Sequence, residues 1–184
     1  MKKNNDLLRK TSLSAFVIAA VLCFSGTAAA AAYIKFDGIE GEAKDKDHKK
    51  WSDLASFAQE MLQPGSGTGA IRKKGKVSIN PMVFTKELDK SSPKIAEALL
   101  KGTVFPRVTI HLTASFTDAG RVVYYEYILK NVTVTSYKIA GSGQSEDVPV
   151  EQFALSFGEI TVKYTEHDNA GKSKGTIEYT WKVK

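Results

Sequence analysis

The residues most able to do chemistry in this chain of 184 residues are its three histidines and the carboxylates beside them. Asp45, Asp47 and His48 lie close together in the sequence, and their side chains could bind a metal ion. Their spacing matches no established cation-binding loop, and lysines alternate with them along the run. We therefore interpret this segment as a solvated loop of mixed charge and expect no metal site.

His111 lies on the polar face of an alternating segment whose apolar face includes Val108, Ile110 and Leu112. Nucleophilic catalysis needs a Ser, a Cys or a carboxylate held beside the imidazole, and the sequence implies no such partner. We therefore predict an exposed strand histidine. Because no set of nucleophile, base and oxyanion donor can be assembled elsewhere, we expect neither an enzyme nor a cofactor.

Residues 63–75 (QPGSGTGAIRKKG) form a basic segment that is rich in glycine. A phosphate-binding loop needs glycines at fixed positions and a lysine followed by Ser or Thr at the start of a helix. Here Lys73 and Lys74 lead into a strand pattern that contains Val77 and Ile79. The segment therefore predicts a long loop that becomes ordered against a neighbouring molecule.

Residues 1–30 have the pattern of a secretory signal peptide. Four basic residues precede an apolar run at 13–24, and alanines at 28–30 supply a cleavage pattern. The run is too short to cross a bilayer, so we expect a secreted or periplasmic protein with no stable membrane insertion. The single cysteine, Cys23, lies in this segment, so the mature chain would contain no disulfide.

The remaining residues, 31–184, have the composition of one globular domain. The whole chain is 42% hydrophobic and 25% charged, which is ordinary for a folded protein. Its formal charge of +6 falls to +3 when the four basic residues and one acidic residue of the first thirty are removed. So small a charge does not indicate nucleic-acid binding.

Alternating apolar and polar residues predict about six strands and a mainly β fold. The longest runs lie at 104–116, 122–137, 153–164 and 176–183. Together with several glycine turns, they indicate a β-sandwich or a closed barrel.

One short helix interrupts the strands. Ser92 is placed to cap it, Pro93 suits its first position and Gly102 is placed to end it. Residues 51–61 also fit an apolar helical stripe, which predicts a second helix there.

Two strands have unusual patterns. In 153–164 the apolar parity changes at Gly158, which predicts a β-bulge. Residues 122–137 are apolar on both faces, so this strand is either central in a sheet or in contact with another subunit. The residues assigned to such a subunit contact are Tyr124, Tyr125, Tyr127 and Ile128.

Five segments resemble the haemolysin co-regulated protein (Hcp) family, the tube proteins of bacterial type VI secretion. They follow the family's order and cover nearly all of the chain after residue 30. The matching segments are YIKFDGIEGEAKDKDH at 33–48, the glycine-rich segment at 65–75, FTKELDKSSPKI at 84–95, VTVTSYKIAGSG at 132–143 and FALSFGEITVKY at 153–164.

The resemblance implies an Hcp-like β-barrel of two sheets with one short flanking α-helix. It also implies that 51–61 is a strand rather than a helix, and we expect the strand there. Six copies would form a ring, and stacked rings would form a conduit that carries secreted effector cargo and meets tip or sheath proteins. The segment that reaches the next ring would contain Gly65, Gly67, Gly69, Ile71, Arg72, Lys73 and Lys74.

The signal-peptide pattern supports an alternative function. Tube proteins of this family usually lack a cleavable signal, whereas residues 1–30 carry one. The alternative is a periplasmic or secreted binding module that keeps the barrel, uses the general export route and takes no part in a tube.

Overall fold

The computed structural model describes residues 30–66, 73–116, 119–144 and 146–183. Within these ranges the protein is mainly β, with a single helix, as predicted. The elements are β1 (Ala31–Phe36), β2 (Ser52–Leu54), β3 (Ser56–Ala58), β4 (Met61–Leu62), β5 (Gly65–Ser66), β6 (Lys73–Lys74), β7 (Ser78–Ile79), β8 (Met82–Glu87), α1 (Ser92–Lys101), β9 (Val104–Phe116), β10 (Gly120–Ala140), β11 (Val150–Ser156), β12 (Glu159–His167) and β13 (Ser173–Lys182).

The main sheet closes into a barrel. Its strands follow the order β2-β1-β9-β10-β11-β8-β3, and all neighbouring pairs are antiparallel. Only Ala55 separates β2 from β3, so the two ends of this path meet. Strands β12 and β13 form a hairpin that joins the sheet only through β10.

The barrel encloses one apolar core. Its fully buried side chains come from most of the long strands, and α1 adds Ile95 and Ala98. The strand members include Ile34, Phe36, Met82, Phe84, Val108, Ile110, Leu129, Val132, Phe153, Leu155 and Ile160. Burial of this set supplies the main drive for folding.

The predicted helix is confirmed, with its start moved by one residue. Ser91 is the N-cap, and Ser92 is the first helical residue. Gly102 ends the helix with φ of 63°, and its backbone N–H bonds to the Leu99 carbonyl at 3.2 Å. A left-handed residue at this position favours glycine, as the sequence indicated.

The helix suggested by the apolar stripe in 51–61 is wrong, and the strand that the resemblance implied is confirmed. Phe57 of β3 pairs with Phe84 of β8, and Tyr33 of β1 pairs with Asp53 of β2. Pairing with two long strands overrides a weak local preference for helix.

The parity change at Gly158 is real, but the predicted bulge is wrong. Thr133 pairs with Ser156 and Lys130 pairs with Glu159, so the register runs past Gly158 without an extra residue. Strands β9, β10 and β11–β12 all change their buried face at this level. The paired changes are Phe105 to Val108, Leu129 to Val132 and Phe157 to Ile160.

A kink in two neighbouring segments of the backbone produces this change of buried face. Asn131 has φ of 52°, and the neighbouring Gly158 N–H bonds to the Lys130 carbonyl at 2.9 Å. A Cβ on Gly158 would lie 3.3 Å from the Asn131 Cβ, so glycine allows the two backbone segments to approach closely. The barrel wall therefore bends here by a shared kink.

A buried polar network fixes the start of the helix against the barrel. Lys86 Nζ lies 2.8 Å from Glu151 Oε1 and 2.7 Å from Asp89 Oδ1, and both Lys86 and Glu151 are fully buried. Tyr137 donates a hydrogen bond to the Glu151 carboxylate, and Ser52 donates one to Asp89 at 2.7 Å. Strands β2, β8, β10 and β11 are thereby joined at one point.

Candidate functional site

The segment assigned to ring stacking is a β-hairpin arm. Strand β5 pairs with β6, with Gly65 opposite Lys74, and β4 pairs with β7 just before it. The Gly75 N–H bonds to the Pro64 carbonyl at 2.9 Å, and a Cβ on Gly75 would lie 1.9 Å from that oxygen. Glycine is therefore needed at the base of this ladder.

The tip of this arm lies outside the described residues. The tip residues of the prediction are Gly67, Gly69, Ile71 and Arg72, while Gly65, Lys73 and Lys74 belong to the ladder. The role of these seven residues in stacking stays a prediction. The structure shows that paired strands, rather than an irregular loop, lead towards the tip.

The apolar strand assigned to subunit contact is β10, and it is central in the sheet. It lies between β9 on one side and β11 with β12 on the other. Tyr127 is buried in the core, where burial raises the pKa of its phenol. Tyr124, Tyr125 and Ile128 are partly buried. Contact of these four residues with another subunit stays a prediction, and the central position already explains why both faces are apolar.

Strand β13 carries a run of exposed apolar side chains. It pairs only with β12, and every residue in it is exposed. Ile177 is 76% exposed, Tyr179 48% and Trp181 47%. Single exposed apolar residues are ordinary, but three large ones in a row on a strand edge mark an interaction surface.

The sequence carries a signal for this surface. Ile177, Tyr179 and Trp181 alternate with Thr176, Glu178 and Thr180 in the last strand of the chain. Such alternation predicts one covered face. In the single chain this face is about half covered at Tyr179 and Trp181 and mostly open at Ile177. Trp181 and Val77 also line a small cavity of about 190 Å³ at the base of the hairpin arm.

The charged segment after β1 is not a simple solvated loop. His48 is 3% exposed, and its ring stacks on Tyr33 with 4.0 Å between ring centroids. Its Nδ1 lies 2.7 Å from Asp45 Oδ1, and its Nε2 lies 3.0 Å from His111 Nδ1. The prediction of a solvated loop was wrong for His48. Residues 45–48 form a turn that places the His48 side chain against the barrel.

His111 is also less exposed than predicted and has a carboxylate partner. Its Nε2 lies 3.0 Å from Glu126 Oε1 on the neighbouring strand β10. Glu126 is fifteen residues away in sequence, so only the β9–β10 pairing reveals the contact. Within the described ranges, no three His, Cys, Asp or Glu side chains are placed to hold a metal ion.

An acidic cleft lies beside this histidine pair. Its volume is about 500 Å³, and Tyr33, Asp45, Asp53, Asp89 and Arg121 contribute to its lining. Burial raises the pKa of Asp53, and the nearby charge of Asp89 raises it further. Arg121 Nη1 donates to the Tyr33 hydroxyl at 2.5 Å and lies 3.9 Å from Asp45 Oδ2.

The described part of the chain contains no helix long and apolar enough to cross a membrane. Residues 1–29, which hold nearly all of the predicted signal peptide, lie outside it.

Comparison with known proteins identifies relatives of this chain. The family model described as "Type VI secretion system effector, Hcp" matches residues 33–164. Protein hcp1 of Pseudomonas aeruginosa is 32% identical over 154 residues, which are 83% of this chain and 94% of that protein.

Solved structures agree with this relationship. The structure of a type six secretion system protein is 30% identical, with a TM-score of 0.77 over 84% of this chain and 96% of that one. A type VI secretion system effector from Yersinia pestis is 26% identical, with a TM-score of 0.65 over 83% of this chain and 99% of that one. Because the family model spans well over half of the sequence, this chain belongs to the Hcp family of type VI secretion system proteins.

Proposed function

We propose that this type VI secretion tube protein assembles into six-membered rings, and that β13 supplies a contact between neighbouring subunits. The observation that carries the ring contact is the free edge of β13 with Ile177, Tyr179 and Trp181 exposed beside it. An unpaired strand edge offers backbone N–H and C=O groups to another chain, and the apolar face gains free energy when it leaves water.

The area on β13 accounts for part of a stable interface. A buried aromatic side chain covers roughly 150–250 Å², and Tyr179 and Trp181 are each about half exposed. Together with Ile177 they offer a few hundred Å², against about 800 Å² per partner in a stable complex. A closed ring uses two different patches on each subunit, so β13 meets a different surface of the next copy.

The hairpin arm is assigned to stacking. Its two ladders pair residues 61–62 with 78–79 and residues 65–66 with 73–74, and Met61 and Leu62 at its base are about half exposed. We propose that the tip, with Ile71 and Arg72, contacts the next ring and builds the conduit for secreted effector cargo. Removing Ile71 and Arg72 should abolish tubes seen by electron microscopy and preserve single rings. Loss of rings and tubes together would contradict this division.

The ring contact is tested by native mass spectrometry and light scattering on residues 31–184. We expect hexamers for the parent chain and a large shift towards monomer for Trp181→Glu. Leu100→Glu is the matched control, because Leu100 is 87% exposed on α1, away from β13. A parent chain that stays monomeric at high concentration contradicts ring formation. A Trp181→Glu variant that assembles like the parent contradicts the role of β13.

A second function rests on the signal-peptide pattern of residues 1–30. We propose, as the alternative, an exported binding module that folds as the same barrel outside any tube. Secretion in a strain that lacks the type VI machinery separates the two functions. Export that continues there and stops when residues 1–30 are deleted supports the module. Export that requires the machinery and ignores the deletion contradicts it.

A further inference from the structure

Two histidines and two carboxylates form one continuous hydrogen-bonded chain on the outside of the barrel. It runs from Asp45 through His48 and His111 to Glu126, with contacts of 2.7, 3.0 and 3.0 Å. Ring assembly through β13 uses neither histidine. The ring of Trp51 lies 4.4 Å from that of His111 and 5.1 Å from that of His48, between centroids, and shields both.

The number of ring protons in this series of hydrogen bonds follows from its donors and acceptors. An ionised carboxylate only accepts, so His48 Nδ1 and His111 Nε2 must both carry a proton. The central contact, between His48 Nε2 and His111 Nδ1 at 3.0 Å, needs a third proton on one of the two nitrogens. The complete series of hydrogen bonds therefore holds three protons on two imidazoles, which makes one imidazolium and one neutral ring.

Any other proton count breaks the central contact. With two protons, two lone pairs face each other across 3.0 Å; with four, two N–H groups do. In both cases the rings must separate or lose a bond to a carboxylate. Because the two rings share one proton, they bind protons as a coupled pair.

A carboxylate flanks the pair at each end. The hydrogen bond from His48 lowers the pKa of Asp45, and that from His111 lowers the pKa of Glu126. Both carboxylates therefore stay ionised acceptors at mildly acidic pH. The titratable and charged groups that face the pair or its carboxylates are Tyr33 on β1, Asp53 on β2, Arg121 and Glu126 on β10, Lys163 on β12, Glu178 on β13 and Asp45 in its own loop.

We propose that His48 and His111 form one proton-binding site, and that the shared proton fastens the 45–51 loop to strand β9. The loop is joined to itself by backbone bonds, from His48 N to Asp45 O and from Trp51 N to His48 O. The His48–His111 contact joins it to β9. Loss of the shared proton in base, or gain of a further proton in acid, removes this tie and loosens the loop.

The direct test is NMR spectroscopy of the ¹⁵N-labelled full chain. Across a pH series we expect one range of pH in which a through-hydrogen-bond coupling between His48 Nε2 and His111 Nδ1 appears together with three ring N–H protons on the pair. The coupling should vanish at both lower and higher pH. The third histidine, His167, serves as the internal reference, because it takes no part in the pair. Absence of the coupling at every pH, or only two ring N–H protons on the pair where the coupling is seen, would overturn the proposal.

Amide hydrogen exchange gives a second measurement. After correction for intrinsic rates, protection of the His48 and Trp51 amides should peak in the pH range where the coupling is seen and fall about tenfold on either side, as expected for loss of one charge-assisted hydrogen bond. The His111→Gln variant should lose this peak and keep the protection of Phe153 and Leu155 in the barrel. A peak that survives in this variant would contradict the shared proton.

Discussion

The Lys86 network and strand β13 differ in whether their interacting groups find partners within the chain. Lys86 is a buried charge, yet Glu151 and Asp89 both pair with it inside the same chain. On β13, apolar side chains and a backbone edge remain exposed at the surface. The barrel is therefore complete in one subunit, whereas we propose that another molecule completes the β12–β13 hairpin. Changes in the first region should alter folding, and changes in the second should alter association.

The largest effect on stability is expected from Lys86→Met. The variant leaves Glu151 buried without its cation, and breaking a buried ion pair lowers the free energy of unfolding by about 3–5 kcal/mol. Urea denaturation of the variant and the parent measures this difference. The control is Lys101→Met, since Lys101 pairs with Glu97 at the surface and exposed pairs contribute little to stability. Equal effects of the two substitutions would contradict a buried, tightly paired Lys86.

The reverse behaviour is expected for β13. Ile177→Ser should change the free energy of unfolding of the dissociated chain by only about 0.5 kcal/mol, as for an ordinary surface substitution. It should weaken subunit association at least tenfold, because most of this exposed side chain would be covered in the ring. Denaturation at low concentration, together with sedimentation velocity, separates these effects. An Ile177→Ser variant that unfolds easily but still associates would show that β13 governs folding rather than association.

Gly102→Ala should have a smaller effect, confined to the end of α1. Gly102 has φ of 63°, and no atom lies within 4 Å of a Cβ placed there. Backbone strain alone should therefore lower the free energy of unfolding, by about 1 kcal/mol. Gly65→Ala is the control, because its added Cβ also meets open space and its φ is not positive. Thermal unfolding of both variants should show a loss only for Gly102→Ala.

The smallest effect concerns acid stability. Burial alone would raise the pKa of Asp89, but hydrogen bonds from Lys86, Ser91 and Ser52 leave it below its ordinary value. A lowered pKa contributes stability above the unfolded value and loses it as the pH falls through the folded value. The free energy of unfolding should therefore decline below about pH 4. This decline should be shallower in Asp89→Asn, and an unchanged slope would contradict the role of Asp89.

Patterns within single strands predicted much of this fold. Alternation located β9 and β13, and Pro93 with Gly102 located α1. Contacts between distant strands could not be predicted in the same way. The pairing of β9 with β10 brings Glu126 to His111, and the turn after β1 brings His48 to both. The kink at Gly158 was wrongly predicted as a β-bulge. A change in the parity of apolar residues shows that a strand bends, but it does not distinguish a bulge from a kink.

The barrel is complete in one chain, and we propose that a second copy completes β13 in the ring. Amide hydrogen exchange of the parent protein and the dissociated Trp181→Glu variant tests it most directly. We predict that amides of Glu178 and Thr180, whose N–H groups point away from β12, are protected in the assembled parent and exchange at least tenfold faster in the variant. Amides of Phe153 and Leu155 should stay equally protected in both. Fast exchange of β13 in the assembled parent, or loss of barrel protection on dissociation, would contradict the claim.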